Sequence, residues 1–126
     1  MNTYRADLHI HTVLSPCGDL EMSPIKIIEK AREKGLDIIG ITDHNTTRHC
    51  NLIGNLAQKE GIFVMMGAEV TTREEVHCLT FFENTEKLSE FQLYLETHLP
   101  PIPNDSNKFG YQVVVDENEQ IIDEIE

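Results

Sequence analysis

The segments KGLDIIGITD (residues 34–43) and EGIFVMMGAE (residues 60–69) repeat one pattern at an offset of 26 residues. Each has a glycine that ends a helix, then an apolar run, a glycine inside that run, and an acidic residue where the run stops. A compact apolar run of this kind reads as a strand covered on both faces. Between the two runs lies a helical stretch from about Thr47 to Glu60, with Leu52, Ile53 and Leu56 inward and Gly61 closing it. Strand and helix alternating at this spacing predict βα units, a parallel sheet and an α/β fold.

The flanking residues extend the alternation. Residues 4–10 read as a short strand, followed by the loop TVLSPCGDLEM. Ser23 and Pro24 form an N-cap and first helical residue, Ile25, Ile28 and Ala31 make an apolar stripe, and Gly35 stops the helix. IFVMMGAEV (62–70) and EVHCLTFF (75–82) are predicted strands. A helix from about Glu86 to His98 carries Leu88, Phe91 and Leu95 on one face, and PPIP (100–103) ends it. QVVV and QIID on either side of DENE suggest a C-terminal hairpin. At 126 residues the chain suits a single domain spanning 1–126.

In such sheets functional groups gather at the carboxyl ends of the strands. The first strand ends in ADLHIHTVLSPCGD (6–19), which places Asp7, His9 and His11 within five residues of a chain with only six histidines. His9 and His11 share a face, about 6.5 Å apart along the strand, close enough to close on one metal ion. The second strand ends in Asp43 and His44, the third in Glu69, and the fourth carries His77. If the strands are parallel neighbours, these side chains converge. Imidazoles with a carboxylate suit zinc, manganese or iron. Glu69 is the natural bridge between two ions, with His9 and His11 holding one and His77 the other. Asp7 and Asp43 would orient imidazoles. A bridged pair of ions clamps an in-line displacement at phosphorus and makes hydroxide available near neutral pH.

Each residue also has a plainer account. Asp43-His44-Asn45 would serve as an Asx turn and helix cap. Glu69 would cap a helix or form a salt bridge, and His77 would be a half-exposed strand residue. His49 and His98 sit in helical patterns and read as structural, and Cys50 and Cys78 read as small buried hydrophobes.

The formal net charge of -12 disfavours unaided binding to nucleic acid. No apolar run approaches the ~20 residues of a membrane span, and no signal peptide is visible. Three cysteines without framework spacing suit reduced thiols in the cytoplasm. The partner expected is a small phosphorylated substrate.

DLHIH, the SPCGD loop, ITDHN, GAEV and EVHCL occur here in the order seen in the PHP (polymerase and histidinol phosphatase) domain, which residues 4 to about 82 resemble. The resemblance implies a distorted β/α barrel that holds two or three divalent ions and hydrolyses phosphoesters. Carried over, His9, His11 and Glu69 match a first metal site, Glu69 and His77 a second, and His44 a third. The loop ligand is Cys17 by its spacing from His11, or Asp19. The family pattern continues with a further histidine and a late Asp-x-His, whereas downstream of His77 this chain has only His98. The chain thus resembles the N-terminal half of the domain, incomplete at the C-terminus. Its exposed strand edges would need cover from the terminal hairpin or from self-association. The function expected is hydrolysis of a phosphomonoester or small phosphodiester by metal-bound hydroxide, weakened by the missing late motif. The alternative is a non-catalytic metal-binding or regulatory module. A polymerase-associated role is a third reading, which the charge argues against.

Overall fold

The computed structural model describes residues 1–15, 21–99 and 113–124. Its elements follow in the order β1 (Ala6–Ile10), α1 (Pro24–Glu33), β2 (Ile38–Ile41), α2 (Cys50–Lys59), β3 (Phe63–Thr71), β4 (His77–Phe82), α3 (Thr85–His98), β5 (Val113–Val115) and β6 (Ile121–Glu124). Cys17, Asp19 and the PPIP break lie outside the described residues.

β1 to β4 form one open sheet in the order β1-β2-β3-β4. β1 pairs with β2 and β2 with β3 in parallel, as the repeat predicts. β4 does not continue that pattern. It runs antiparallel to β3, with Thr71 opposite His77 and Met66 opposite Phe82. The reversal is a tight turn in which the Thr72 N–H reaches Val76 O at 2.9 Å and Glu75 adopts φ 62. A five-residue connection is too short for a crossover helix, so only an antiparallel return fits.

One face of the sheet is closed by helices. Ile27, Ile28 and Ala31 of α1, Ile39 and Ile41 of β2, Cys50, Ile53 and Ala57 of α2, Ile62, and Leu88 of α3 form one buried cluster. Ser23 caps α1 as predicted, accepting the Lys26 N–H, and Pro24 sits at its first turn. Gly35 takes φ 66 just past the helix. α2 begins at Cys50, three residues later than predicted. Gln92 Oε1 of α3 accepts both Thr47 N–H (2.7 Å) and Thr47 Oγ1–H (2.9 Å), holding that segment outside the helix. Cys78 is exposed, contrary to its reading as buried, because it lies on an edge strand.

The hairpin β5–β6 forms as predicted. It packs on the loop after β1, where Val13, Val113 and Val115 make a second buried cluster. Ser23 Oγ donates to Glu119 at 2.6 Å and Arg48 pairs with Asp123 at 2.8 Å. The hairpin therefore lies against the carboxyl-end loops rather than along the edge of the main sheet. No helix among the described residues is long and apolar enough to cross a membrane.

Two glycines test this packing with opposite signs. A Cβ at Gly67 would lie 1.7 Å from Thr80 O on β4, a backbone clash. A Cβ at Gly54, inside α2, would meet nothing nearer than Met66 Sδ at 3.8 Å. Chemical denaturation should show Gly67→Ala losing about 3 kcal/mol or more, and Gly54→Ala gaining about 0.5–1 kcal/mol.

Candidate metal centre

Parallel order brings the carboxyl ends of β1, β2 and β3 together, and β4 starts where β3 ends. Thus His9 from β1, His11 just past it, His44 just past β2, Glu69 in β3 and His77 at the head of β4 meet on one rim. His77 arrives there because its strand is reversed. His44 is locked beside Glu69 by backbone bonds, Glu69 N–H to Asp43 O at 2.9 Å and Asn45 N–H to Glu69 O at 3.0 Å. Asn45 adopts φ 53, a left-handed turn that asparagine tolerates, and its Oδ1 accepts the Thr71 N–H.

Glu69 is the centre of the set. Its Oε2 lies 2.7 Å from His11 Nε2, 2.9 Å from His9 Nε2 and 3.8 Å from His44 Nδ1. Its Oε1 lies 2.9 Å from His77 Nδ1. His9 Nε2 and His11 Nε2 are 3.2 Å apart. Two groups, His9–His11–Glu69 and His44–Glu69–His77, each keep their donor atoms within 4.8 Å of one another. Glu69 is shared, one oxygen toward each histidine pair except that His44 leans toward Oε2. The resemblance had placed His44 on a separate third ion. Here its ring joins the group of His77.

The contacts of 2.7–2.9 Å to Glu69 are hydrogen bonds. Bonds of about 2.1 Å to a central ion put neighbouring donor atoms roughly 3.0–3.4 Å apart, so these groups need open by only a few tenths of an ångström to hold a cation. The side chain of Glu69 is only 8% exposed, whereas those of His9 and His77 are 50% and 52% exposed. The carboxylate thus forms the floor, and the outer imidazoles border the mouth. Burial pushes the Glu69 carboxyl up, but the hydrogen bonds from His9, His77 and His11 outweigh it and hold it down at about 2. Burial, with the neighbouring His11, lowers His44, keeping its ring neutral and able to ligate.

The two predicted orienting carboxylates are engaged differently. Asp7 Oδ1 accepts the His9 backbone N–H at 3.2 Å. Asp43 is 1% exposed and grips the loop after His11: it accepts Thr12 N–H (2.6 Å), Thr12 Oγ1–H (2.7 Å) and Ser15 Oγ–H (2.7 Å). Neither is an Asx cap for α2, which starts well downstream. Burial raises the Asp43 pKa despite these bonds.

Thr12, Ser15 and His49 were not among the candidate site residues. Ser15 Oγ accepts the His44 N–H at 3.0 Å, so it ties the two loops together. A lone serine and threonine in a loop carry no pattern that would single them out. His49 is buried as its structural reading implies, and its Nδ1 lies 2.8 Å from Thr12 Oγ1. His98, also read as structural, stacks on Tyr94 at the exposed end of α3. Cys50 Sγ approaches Gly67 O at 3.4 Å and burial pushes its thiol up to about 12, so it is a packing residue.

The His49 pKa is lowered from 6.5 to about 4 by burial and by the neighbouring Arg48 charge. The unfolded chain then binds the proton more tightly than the fold does. Stability from this group is complete above about pH 6.5 and is lost as pH falls toward 4, by up to about 3 kcal/mol. Denaturant titrations at pH 7, 6, 5 and 4 should show this slope, and His49→Gln should flatten it.

Comparison with known proteins matches residues 7–124 to the PHP domain. An uncharacterized protein of Methanocaldococcus jannaschii is 37% identical over 78 residues, which cover 56% of this chain and 46% of that protein. A 5'-3' exoribonuclease of Haemophilus influenzae is 29% identical over 73 residues, covering 58% of this chain and 26% of the enzyme. Among solved structures, a Bifidobacterium adolescentis protein classed as a metal-dependent phosphoesterase superposes with a TM-score of 0.54 at 29% identity, over 71% of this chain and 32% of its own. The chain spans less than half the length of the curated relatives it matches.

Proposed function

Since the chain belongs to the PHP domain family, we propose that its rim binds divalent metal and serves phosphoester hydrolysis, on a phosphomonoester or a small phosphodiester. The observation that carries this reading is the convergence of four imidazoles on the buried Glu69 carboxylate. The likeness to a metal-dependent phosphoesterase structure supports it.

His9 and His11 would hold one ion with Glu69 Oε2, and His77 and His44 a second with Glu69. Zinc, manganese and iron all suit imidazole and carboxylate donors. When bound, such ions supply Lewis-acid activation of water and neutralise charge on a transferring phosphoryl group. The chain's own residues do the rest. Glu69 stays ionised at any physiological pH, keeping both oxygens available as donors. The half-exposed His9 and His77 leave the mouth open to a substrate. With a net charge of -12, the chain repels phosphate everywhere except where cations are held, which favours a small ligand over a polyanion. The cytoplasm, with its reduced thiols, is the compartment this reading assigns.

A second reading is a metal-binding module without turnover, to which the same clusters of donor atoms lend themselves equally. The two readings separate in two steps. Protein purified without chelator should carry zinc, manganese or iron by mass spectrometry, and replacing His9 and His11 together with alanine should remove most of it. Unchanged metal content in the double variant would overturn the site. Hydrolysis of an aryl phosphate with saturating manganese or zinc should then be detectable, and Glu69→Gln should abolish it and weaken metal binding. Full metal occupancy without turnover selects the module.

A further inference from the structure

His11 lies one residue beyond β1, and the last ladder bond on this side is the Thr42 N–H to Ile10 O, at 2.9 Å. Thr12, the residue after His11, is tethered in its turn. Thr12 N–H and Oγ1–H both go to Asp43, whose neighbour is His44. The two imidazole-bearing loops are therefore joined through one hydroxyl and one carboxylate.

That hydroxyl has a further partner. Val115 N–H of β5 donates to His49 Nε2 at 3.1 Å, so Nε2 is the unprotonated nitrogen. The ring proton then sits on Nδ1 and is donated to Thr12 Oγ1, 2.8 Å away. Thr12 Oγ1 also accepts the Leu14 N–H at 3.1 Å and donates its own O–H to Asp43 Oδ2. Every donor in this chain points the same way, from the hairpin to the carboxylate. His49 is 1% exposed, and Asp43 is as deeply buried, so no water competes for these bonds. Val13 packing against Val113 and Val115 presses the hairpin onto the same loop.

We propose that His49 is a positioning residue, through which the C-terminal hairpin holds the loop after His11 and so sets the metal affinity of the rim. The proposal rests on the metal-binding reading above. It assigns the hairpin a role that its distance in sequence hides: residues 113–115 act on residues 11–12.

The test uses the full chain and zinc alone. Zinc affinity is measured by chelator competition, folding by circular dichroism, and the amides of residues 12–15 by hydrogen exchange in metal-free protein. His49→Leu removes both nitrogens, and Thr12→Val removes the shared hydroxyl. Each should weaken zinc about 10-fold and speed exchange at residues 12–15 while the fold persists. In His49→Gln the amide oxygen can accept from Val115 and the amide nitrogen can donate to Thr12, so affinity should stay within about threefold of wild type. A folded His49→Leu with wild-type zinc affinity and unchanged exchange overturns the proposal. If His49→Leu does not fold, Thr12→Val decides on the same readouts. If wild-type protein binds no zinc, the proposed function falls by itself, and exchange alone judges His49: unaltered protection in the folded variants overturns its positioning role.

Discussion

A carboxylate that is 8% exposed and ringed by imidazoles can exist only where several chain segments end together, and Glu69 imposes that constraint on the whole fold. Its partners come from β1, from the loop after β2, and from β4. The parallel pairing of β1, β2 and β3 aligns their carboxyl ends, and the reversed β4 adds its amino end to the same level. Hydrogen bonds across the rim add to these alignments but do not create them. The alignments follow from the apolar cluster beneath α1, α2 and α3, which fixes the sheet from one face. The rim is thus a polar consequence of apolar packing below it. Backbone closeness is part of that packing. Gly40 and Gly67 stand where a Cβ would meet the backbone of the next strand.

The features legible in the sequence were those with a period or a punctuation mark. The Gly-ended helices and apolar runs of 34–43 and 60–69 announced β2 and β3, and Ser23-Pro24 announced α1. The H-x-H pair, His44, Glu69 and His77 stood out as ligand types at strand ends, and the structure brings all of them together. The reversal at β4 was hidden because its turn carries no glycine: Glu75 occupies the left-handed position instead. The late start of α2 was hidden because Gln92, 45 residues downstream of Thr47, holds the preceding segment. Burial of Cys78 was misjudged because an apolar neighbourhood in sequence does not say whether a strand lies at an edge.

Side chains that act on backbone left the least trace. Asp43 was read beside His44 as its orienting partner, a reasonable inference from adjacency. Its oxygens instead serve Thr12 and Ser15, because the donors that meet Asp43 are those of the loop after β1. No local pattern encodes a pairing between residues 31 apart. The same holds for His49 and Val115, which are 66 apart.

The contrast between the two buried acids explains how such a rim can be both charged and ordered. Glu69 faces imidazoles and is held at about 2, so its charge is available for ions or protonated rings. Asp43 faces hydroxyl and amide dipoles, and burial raises its pKa. Both acids accept hydrogen bonds that favour the ionised form; at Glu69 these outweigh burial, and at Asp43 burial outweighs them. A carboxylate among hydroxyl and amide donors is suited to holding a loop in one register. A carboxylate among imidazoles is suited to sharing cations. Exchanging the two surroundings would leave the loop after His11 without its clamp and the rim without its bridge, although the residue types would be nearly unchanged. The arrangement therefore depends on which donors each acid meets: imidazoles at the strand ends for Glu69, and the loop after β1 for Asp43.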